Sequence, residues 1–422
     1  MDIQKQFFDF YQHHLKTVAK AIEKGGTLIF IGIDSIGKTE FAEQILSEKF
    51  KYTYFPKKNN YLVFLSFKDK YSPTPAQLYK YWLSQTAELL HYRLDKNTEW
   101  NDFTFYSELS EFIKNLTPYE RLVYVILDAQ QLLSQNEFFF RNLIYLERYS
   151  KNKLSFILLS EPHILETTNP WARRFIQHFT NFKYYFLKTF NKKTILADIK
   201  RQEIIHKTSF KNISALILKH SSGLHGLIST YCYLLKDNPQ IKSIRKLIKI
   251  VNKYDLFRYW VSNVLDSIPK KSLNILKEAR GDKKYFKKYQ KTIPGKWLID
   301  LDFLKKDGTP RYPLMKPMLD EYSTGGYERS LRLRRVKHNF YILNEKLKLS
   351  KKEYVVLSIL YGSIGKLITY DQIGTSLWPN QAEKFSLWAI AQIIRRLRKK
   401  LFLVPNSIKS IRGEGYILSF YE

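Results

Sequence analysis

One cysteine, Cys232, stands in 422 residues, so the chain cannot build an internal disulfide, a cysteine zinc cluster or a cysteine-ligated iron–sulfur site. A reducing compartment fits that usage. No uncharged apolar run reaches the roughly 18 to 20 residues that a membrane-spanning helix needs. The first residues, MDIQKQFFDFYQHHLKTVAKAIEKGG, follow a helical pattern with charges throughout, lacking the apolar core and cleavage site of a signal peptide. The expectation is a soluble protein of the cytoplasm with no membrane partner. Acidic residues are the minority, 39 against 70 Lys and Arg, for a formal charge of +31 and a pI near 9.7. That excess favours a polyanionic partner. Part of it is generic, because Lys is abundant everywhere with Ile, Tyr, Phe and Asn, as AT-rich codon usage produces.

What is present is ample apolar material, 44% hydrophobic and 16% aromatic, which excludes a disordered chain. The length predicts about two to four domains. Short apolar runs at Thr27 to Ile31, Tyr61 to Phe67, Arg121 to Asp128, Leu154 to Ser160 and Phe182 to Phe190 are separated by helical patterns. Five such strands with helices between them predict a parallel sheet covered on both faces.

Between the first strand and a helix from about Lys38 lies Gly32, Ile33, Asp34, Ser35, Ile36, Gly37, Lys38, Thr39. This matches GxxxxGK[ST] in the strand-loop-helix context that the motif requires. Backbone N–H groups of such a loop converge on phosphate oxygens, and the helix start adds partial positive charge. Lys38 is expected to meet the β and γ phosphates of ATP or ADP, and the Thr39 hydroxyl to ligate Mg²⁺. Asp128 ends a very apolar strand, where a carboxylate is costly without a partner. It either holds the Mg²⁺ water shell or caps the next helix.

Residues 191–254 have helical spacing, including SSGLHGLISTYCYLL, and predict a lid. From 255 to 322, helical patterns lead to strand-like runs around Asp307-Gly308, a hairpin turn, which together read as a small winged helix. STGGYERS, Ser323 to Ser330, opens a linker over 323–335. Beyond it VKHNFYILNEKLKLS alternates like a small sheet, and Ser350 with Glu353 forms a capping-box signature. In SLWAIAQIIRRLRKKL, Ser386 to Leu401, the residues Ile390, Ile394, Leu397 and Leu401 recur at helical spacing. A second stripe carries Trp388, Gln392, Arg395, Arg396 and Lys399. SIKSIRGEGYIL then reads as strand, Gly413 to Gly415 turn and returning strand, bringing Lys409 and Arg412 close. From Glu328 to Glu422, 18 Lys and Arg face 7 Asp and Glu.

The first 322 residues resemble the AAA+ and STAND group of P-loop ATPases, particularly the archaeal-type and origin-recognition ATPases. The likeness runs through GIDSIGKT, the Walker B strand VYVILDAQQLL, the sensor-1 strand FILLSE, the lid and the winged helix. It implies that Ser160 touches the γ-phosphate or the attacking water. It also implies that Arg173 or Arg174 of WARRF contacts nucleotide across a subunit boundary; that both are solvated or salt-bridged is the other reading. Many hydrolysing members carry Glu after the Walker B Asp to orient water, and here Ala129 follows. SGLHG lacks a sensor-2 arginine and has His225 where STAND proteins often have proline. Slow hydrolysis, a switch rather than a motor, is expected.

Residues 336 to 420 resemble the OmpR/PhoB-type winged helix of bacterial transcription regulators, through LSKKEYVVLSILY, KLITYDQIGTSLWP, IIRRLRKKL and SIRGEGYIL. The likeness implies double-stranded DNA as partner, RNA polymerase as a further one, and a recognition helix in the major groove. Gln392 and Arg395 are the candidates for base edges; Trp388 lies near the helix start, and Arg396, Lys399, Lys409 and Arg412 are candidates for phosphates. Some of these charges are alternatively just solvated. Upstream stands a P-loop segment rather than a receiver domain with an acidic phosphoacceptor pocket.

The predicted architecture is an α/β P-loop NTPase domain with a parallel five-stranded sheet (1–190), a helical lid (191–254), a first winged helix (255–322), a linker and an OmpR/PhoB-type winged helix (336–422). The predicted function is nucleotide-controlled, sequence-specific transcription regulation, with self-association through the ATPase domain. An origin-recognition-like ATPase acting in replication, remodelling or defence is the alternative.

Overall fold

A computed structural model describes residues 2–56, 60–67, 74–95, 99–180, 183–236, 238, 241, 263–279, 283–309, 311, 333–336, 339–342, 345–379, 386–401, 408–411 and 413–418. The chain forms two compact units, Met1–Pro317 and Met318–Glu422.

The first unit begins with α1 (Ile3–Glu23), which buries Tyr11, Leu15, Val18 and Ile22 on one face. Then follow β1 (Leu28–Ile31), α2 (Lys38–Leu46), α3 (Glu48–Tyr54), β2 (Asn60–Ser66), α4 (Pro75–Leu89), α5 (Asp102–Asn115), β3 (Arg121–Leu127), α6 (Glu137–Tyr149), β4 (Leu154–Ser160), α7 (Pro170–Thr180) and β5 (Tyr185–Phe186). The strands form one sheet in the order β2-β3-β4-β1-β5, every pair parallel. β4 is buried at all seven positions, as a strand covered on both faces must be. β5 keeps only two residues, Tyr185 and Phe186, paired with Phe30 and Ile31 at the end of the four-residue β1. Since β3, β4 and β1 are neighbours, the segments that follow them lie side by side at the carboxyl ends of the strands, where open α/β sheets bind ligands.

The expected lid region holds α8 (Lys192–His206), α9 (Ser214–Ser221) and α10 (His225–Lys236); most of 237–262 lies outside the described residues. After it come α11 (Lys270–Ala279), α12 (Lys283–Tyr289) and α13 (Ile293–Asp300). Around Asp307-Gly308 the chain reverses, with Lys305 N–H donating to Thr309 O at 2.8 Å and Arg311 N–H to Phe303 O at 3.0 Å. The strands expected beyond Arg311 lie outside the described residues, as does most of the expected linker.

The second unit holds an antiparallel sheet of β6 (Arg334–Val336), β7 (Asn339–Ile342) and β8 (Glu345–Lys346). α14 (Lys351–Gly362) starts in a capping box, Ser350 and Glu353 each satisfying the other's backbone N–H. β9 (Leu367–Thr369), α15 (Tyr370–Leu377), α16 (Leu387–Lys400), β10 (Ile408–Ile411) and β11 (Gly415–Leu418) follow, with sheet order β10-β11-β9. Ile390, Ile393, Ile394 and Leu397 of α16 pack into a core with Val356, Leu357, Leu360 and Ile373. Gly415 lets β11 approach β9, since a Cβ there would stand 2.0 Å from Ile368 O.

A charged cluster joins α2 to α8 and α10. The buried Glu40 carboxylate meets Arg201 of α8 at 2.7 Å and His225 of α10 at 3.1 Å, while Asp198 meets the other His225 nitrogen at 2.7 Å. Burial alone disfavours the His225 cation, but Asp198 and Glu40 outweigh it and raise its pKa to about 10. Burial likewise disfavours the Glu40 anion, and His225 and Arg201 reverse that, taking it to about 2. A raised histidine pKa stabilises the fold fully below its unfolded value of about 6.5, and the contribution is lost as pH rises toward the folded value. The unfolding midpoint should therefore fall from pH 7 to pH 10, and His225→Gln should flatten that fall; equal slopes for the two proteins would exclude this role.

Candidate nucleotide cleft and nucleic-acid interface

β1 runs into the glycine loop with its pairing continued, because Gly32 N–H still donates to Ser160 O at 3.0 Å. The loop closes at Gly37, whose φ of +108° lies in the left-handed region, and a Cβ there would stand 2.8 Å from the Tyr11 hydroxyl. That hydroxyl donates to Gly37 O at 2.9 Å, so α1 fixes the start of α2. No side chain caps α2. Its first N–H groups therefore have no intrahelical acceptor, and they add partial positive charge at the loop. Residues far along the chain hold the same loop: Gly226 N–H donates to Ser35 O at 3.0 Å, and Asp34 N–H donates to the Ser267 hydroxyl at 3.3 Å.

Lys38 is buried, and its ammonium donates to Gly32 O at 3.2 Å and Ile33 O at 3.3 Å, with Glu161 Oε1 at 3.9 Å. Thr39 is exposed, and its neighbour Glu40 turns inward to the charged cluster. A cavity of about 880 Å³ opens here. Asp34, Ser35, Gly37, Lys38 and Thr39 line one side; Asp128, Gln130, Gln131, Glu161 and His163 line another; Gln202, His225, Gly226, Thr230 and Tyr233 of α8 and α10 and Asp266 and Ser267 line a third. Gly32, Ile33 and Ile36 are buried, and Ile36 N–H donates to Ile33 O within the loop.

Asp128 has left-handed backbone, φ +57°, and starts a 3-10 turn (Ala129–Ser134) without capping it through its side chain. Of the two readings open in the sequence, helix capping is therefore not realised. Such a backbone costs on the order of 1 kcal/mol for a residue other than glycine, and here it brings Asp128 to the cleft wall. Ala129, next in sequence, is buried and takes no part in the cleft lining, whereas Gln130 and Gln131 do. Ser160 is fully buried; its hydroxyl donates to Glu161 O at 3.1 Å and to Gln130 Oε1 at 3.4 Å. Neighbouring residues of a strand point to opposite sides, and the polar side chain that reaches the cleft from this strand end is that of Glu161. Burial raises its carboxyl pKa, but the His163 hydrogen bond and the charges of Lys38 and His163 hold it below the usual value.

Arg173 and Arg174 are exposed on α7 and are not among the residues lining the cleft. Arg174 lies over Trp171 and borders a separate hollow with Arg141, Tyr145, Arg148 and His178.

In the second unit the two stripes of α16 separate as the helical spacing predicts. Ile390, Ile394, Leu397 and Leu401 are at most 1% exposed, whereas Trp388 is 73% exposed and therefore free to face a partner. Arg395 and Arg396 are exposed and Gln392 is half-buried. Lys409 is exposed on β10; Arg412 and the Lys399 side chain lie outside what is described. Arg398, also exposed, is one that the charge run RRLRKK does not distinguish, but it is engaged within the domain. Its guanidinium donates to Ile408 O at 2.9 and 3.0 Å and to the Ser410 hydroxyl at 2.7 Å. Lys400 meets Glu353 at 2.6 Å. One cation thus ties α16 to the β10–β11 hairpin and another to α14, leaving the Trp388–Arg395–Arg396 face outward.

No helix among the described residues is long and apolar enough to cross a membrane. No curated protein matches the chain. Solved structures similar to it include the Walker-type ATPase PABY2304 of Pyrococcus abyssi, at 13% identity and TM-score 0.47 over 74% of this chain and 95% of that one. Others are the ORC1 protein of Aeropyrum pernix in complex with DNA (11%, 0.41, 97% and 88%) and AMPPCP-bound DnaA from Aquifex aeolicus (15%, 0.37, 75% and 88%). These are likenesses of chain path, and the chemistry of the cleft stands on its own side chains. Residues 344–418 match the family model described as transcriptional regulatory protein, C terminal, and with its helices, its β10–β11 hairpin and its exposed basic helix face the second unit is a winged-helix domain of that type.

Proposed function

We propose that the chain is an ATP-binding, sequence-specific DNA-binding transcription regulator whose nucleotide state sets its affinity for DNA. The observation that carries this reading is the buried Lys38 ammonium at a loop whose helix N-terminus is uncapped, in the same chain as a regulator-type winged helix. A lysine charge removed from water needs an anion; a nucleoside triphosphate supplies one that also suits the free N–H groups. The oxygen donors present fit Mg²⁺, which takes few protein ligands together with phosphate oxygens. Thr39 and Asp128, both on the cleft wall, would hold it.

The division of labour follows 1–190 with the lid 191–254 for nucleotide and 336–422 for DNA. Gln392 and Arg395 read base edges, and Arg396, Lys399, Lys409 and Arg412 hold phosphates. Arg173 and Arg174 reach nucleotide only through a second copy, so their role requires self-association. RNA polymerase is the natural recipient of the regulatory output. Turnover is below about one per second, as befits a switch.

Genome-wide mapping of bound DNA supplies the duplex for the tests. Sites at promoters support the regulator, and sites confined to an origin or to invasive DNA would favour a replication or defence ATPase. Arg395→Ala should weaken binding to that duplex by about 1–3 kcal/mol and relax preference at one base pair; unchanged affinity and preference would remove its role. In band shifts, ATP should change the DNA affinity of the wild type and leave Lys38→Ala unaffected. Equal affinity in all four samples would exclude nucleotide control.

A further inference from the structure

The water-orienting glutamate of many P-loop hydrolases follows the Walker B aspartate, but here that position is Ala129 and its side chain is buried away from the cleft. One strand over, Glu161 presents a carboxylate to the cleft. Its Oε1 stands 3.9 Å from Lys38 Nζ, and its Oε2 stands 3.6 Å from His163 Nδ1. Its backbone N–H donates to Gln130 Oε1 at 3.0 Å, which fixes where the side chain departs from β4. A lysine of this motif sits on the β and γ phosphates. Glu161 lines the same cleft as Lys38 and Asp128, which puts a carboxylate on the wall where the terminal phosphate and an attacking water would lie.

We propose that Glu161 is the carboxylate that aligns the attacking water for hydrolysis of the terminal phosphate, a role that rests on the nucleotide reading of the cleft. The water oxygen forms the new bond to the γ-phosphorus, and the bond from that phosphorus to the β–γ bridging oxygen breaks. The bridging oxygen leaves with the electron pair as part of ADP. The water O–H points at Glu161, and its proton ends on the released phosphate. Two neighbours in the cleft have other work. Asp128 is assigned to the metal, and the Gln130 carbonyl is engaged by Glu161 N–H and the Ser160 hydroxyl. His163 and Lys38 keep the Glu161 carboxyl ionised, so it orients water while remaining a weak base, in keeping with slow turnover.

A different role for Glu161, as nothing more than the counter-ion of Lys38, makes a separable prediction. A counter-ion changes ATP affinity when removed; a water-aligning group changes turnover. The full-length wild type, Glu161→Gln and Glu161→Asp should be compared by fluorescent-ATP titration, phosphate release, and chromatography of the nucleotide retained after incubation with ATP. Glu161→Gln should bind ATP within about three-fold of the wild type, release phosphate about ten-fold or more slowly, and retain ATP where the wild type retains ADP. Glu161→Asp should recover part of the rate. Wild-type turnover in Glu161→Gln, altered affinity with unaltered turnover, or no Lys38-dependent phosphate release by the wild type would each overturn the proposal. Lys38→Ala separates the two layers. If it loses ATP binding while Glu161→Gln hydrolyses normally, the cleft still binds nucleotide and only the role of Glu161 falls; if it binds ATP like the wild type, the nucleotide reading itself falls.

Discussion

A buried ammonium has to be met by anions or dipoles, and the arrangement of the first unit follows from how Lys38 is met. Within the chain it has two carbonyls of its own loop and a carboxylate at nearly 4 Å. That is a thin shell for a group whose isolated burial is costly. The loop holds this geometry because other elements restrain it: Tyr11 from α1, Gly226 at the start of α10, and Ser267 from the segment before α11. The cluster of Glu40, Arg201, His225 and Asp198 adds a side-chain tie between α2 and the pair α8 and α10. A ligand that draws Lys38 from its carbonyls therefore acts on a loop bonded to α1, to α10 and to the segment before α11. Such links are what a conformational switch needs at its input.

The second unit solves a different problem, that of keeping a cationic helix face rigid and unoccupied. α16 buries its apolar stripe against α14 and α15, and it directs Arg398 and Lys400 to internal partners. Those two cations are used for shape. Arg395, Arg396 and Trp388 stay outside, with Arg396 Nε donating to Gln392 O of its own helix at 3.3 Å, a geometry that suits entry of a helix into a groove.

Much of this was legible in the sequence because the signals were local. The parallel strands show as continuous apolar runs because they are buried on both faces, the loop as glycines at fixed spacing, and the start of α14 as Ser350 with Glu353. The register of Ile390, Ile394 and Leu397 sorted buried from outward residues in α16. What was hidden is long-range or depends on which way a strand end faces. Glu40 and Arg201 are 161 positions apart, and nothing near either announces the other. SE at the end of β4 offers two polar residues; the alternation of the strand turns Ser160 inward and Glu161 to the cleft, a choice that composition cannot make. The Ala129 substitution was visible, but its meaning changes once that position is seen to be buried. The apolar run from Phe182 to Phe190 exceeds the two residues of β5, because β1, its pairing partner, ends at Ile31.

The central claim is that nucleotide at Lys38 and DNA at α16 bias the same two states of the protein. Thermodynamic linkage makes that claim reciprocal: whatever factor ATP applies to DNA affinity, DNA must apply to ATP affinity. The direct measurement is the ATP dissociation constant of the full-length protein with and without a saturating amount of its target duplex. The account predicts a shift by the same factor that ATP produces in duplex affinity, at least about five-fold for a coupling of about 1 kcal/mol. The same ATP dissociation constant in both conditions would contradict it.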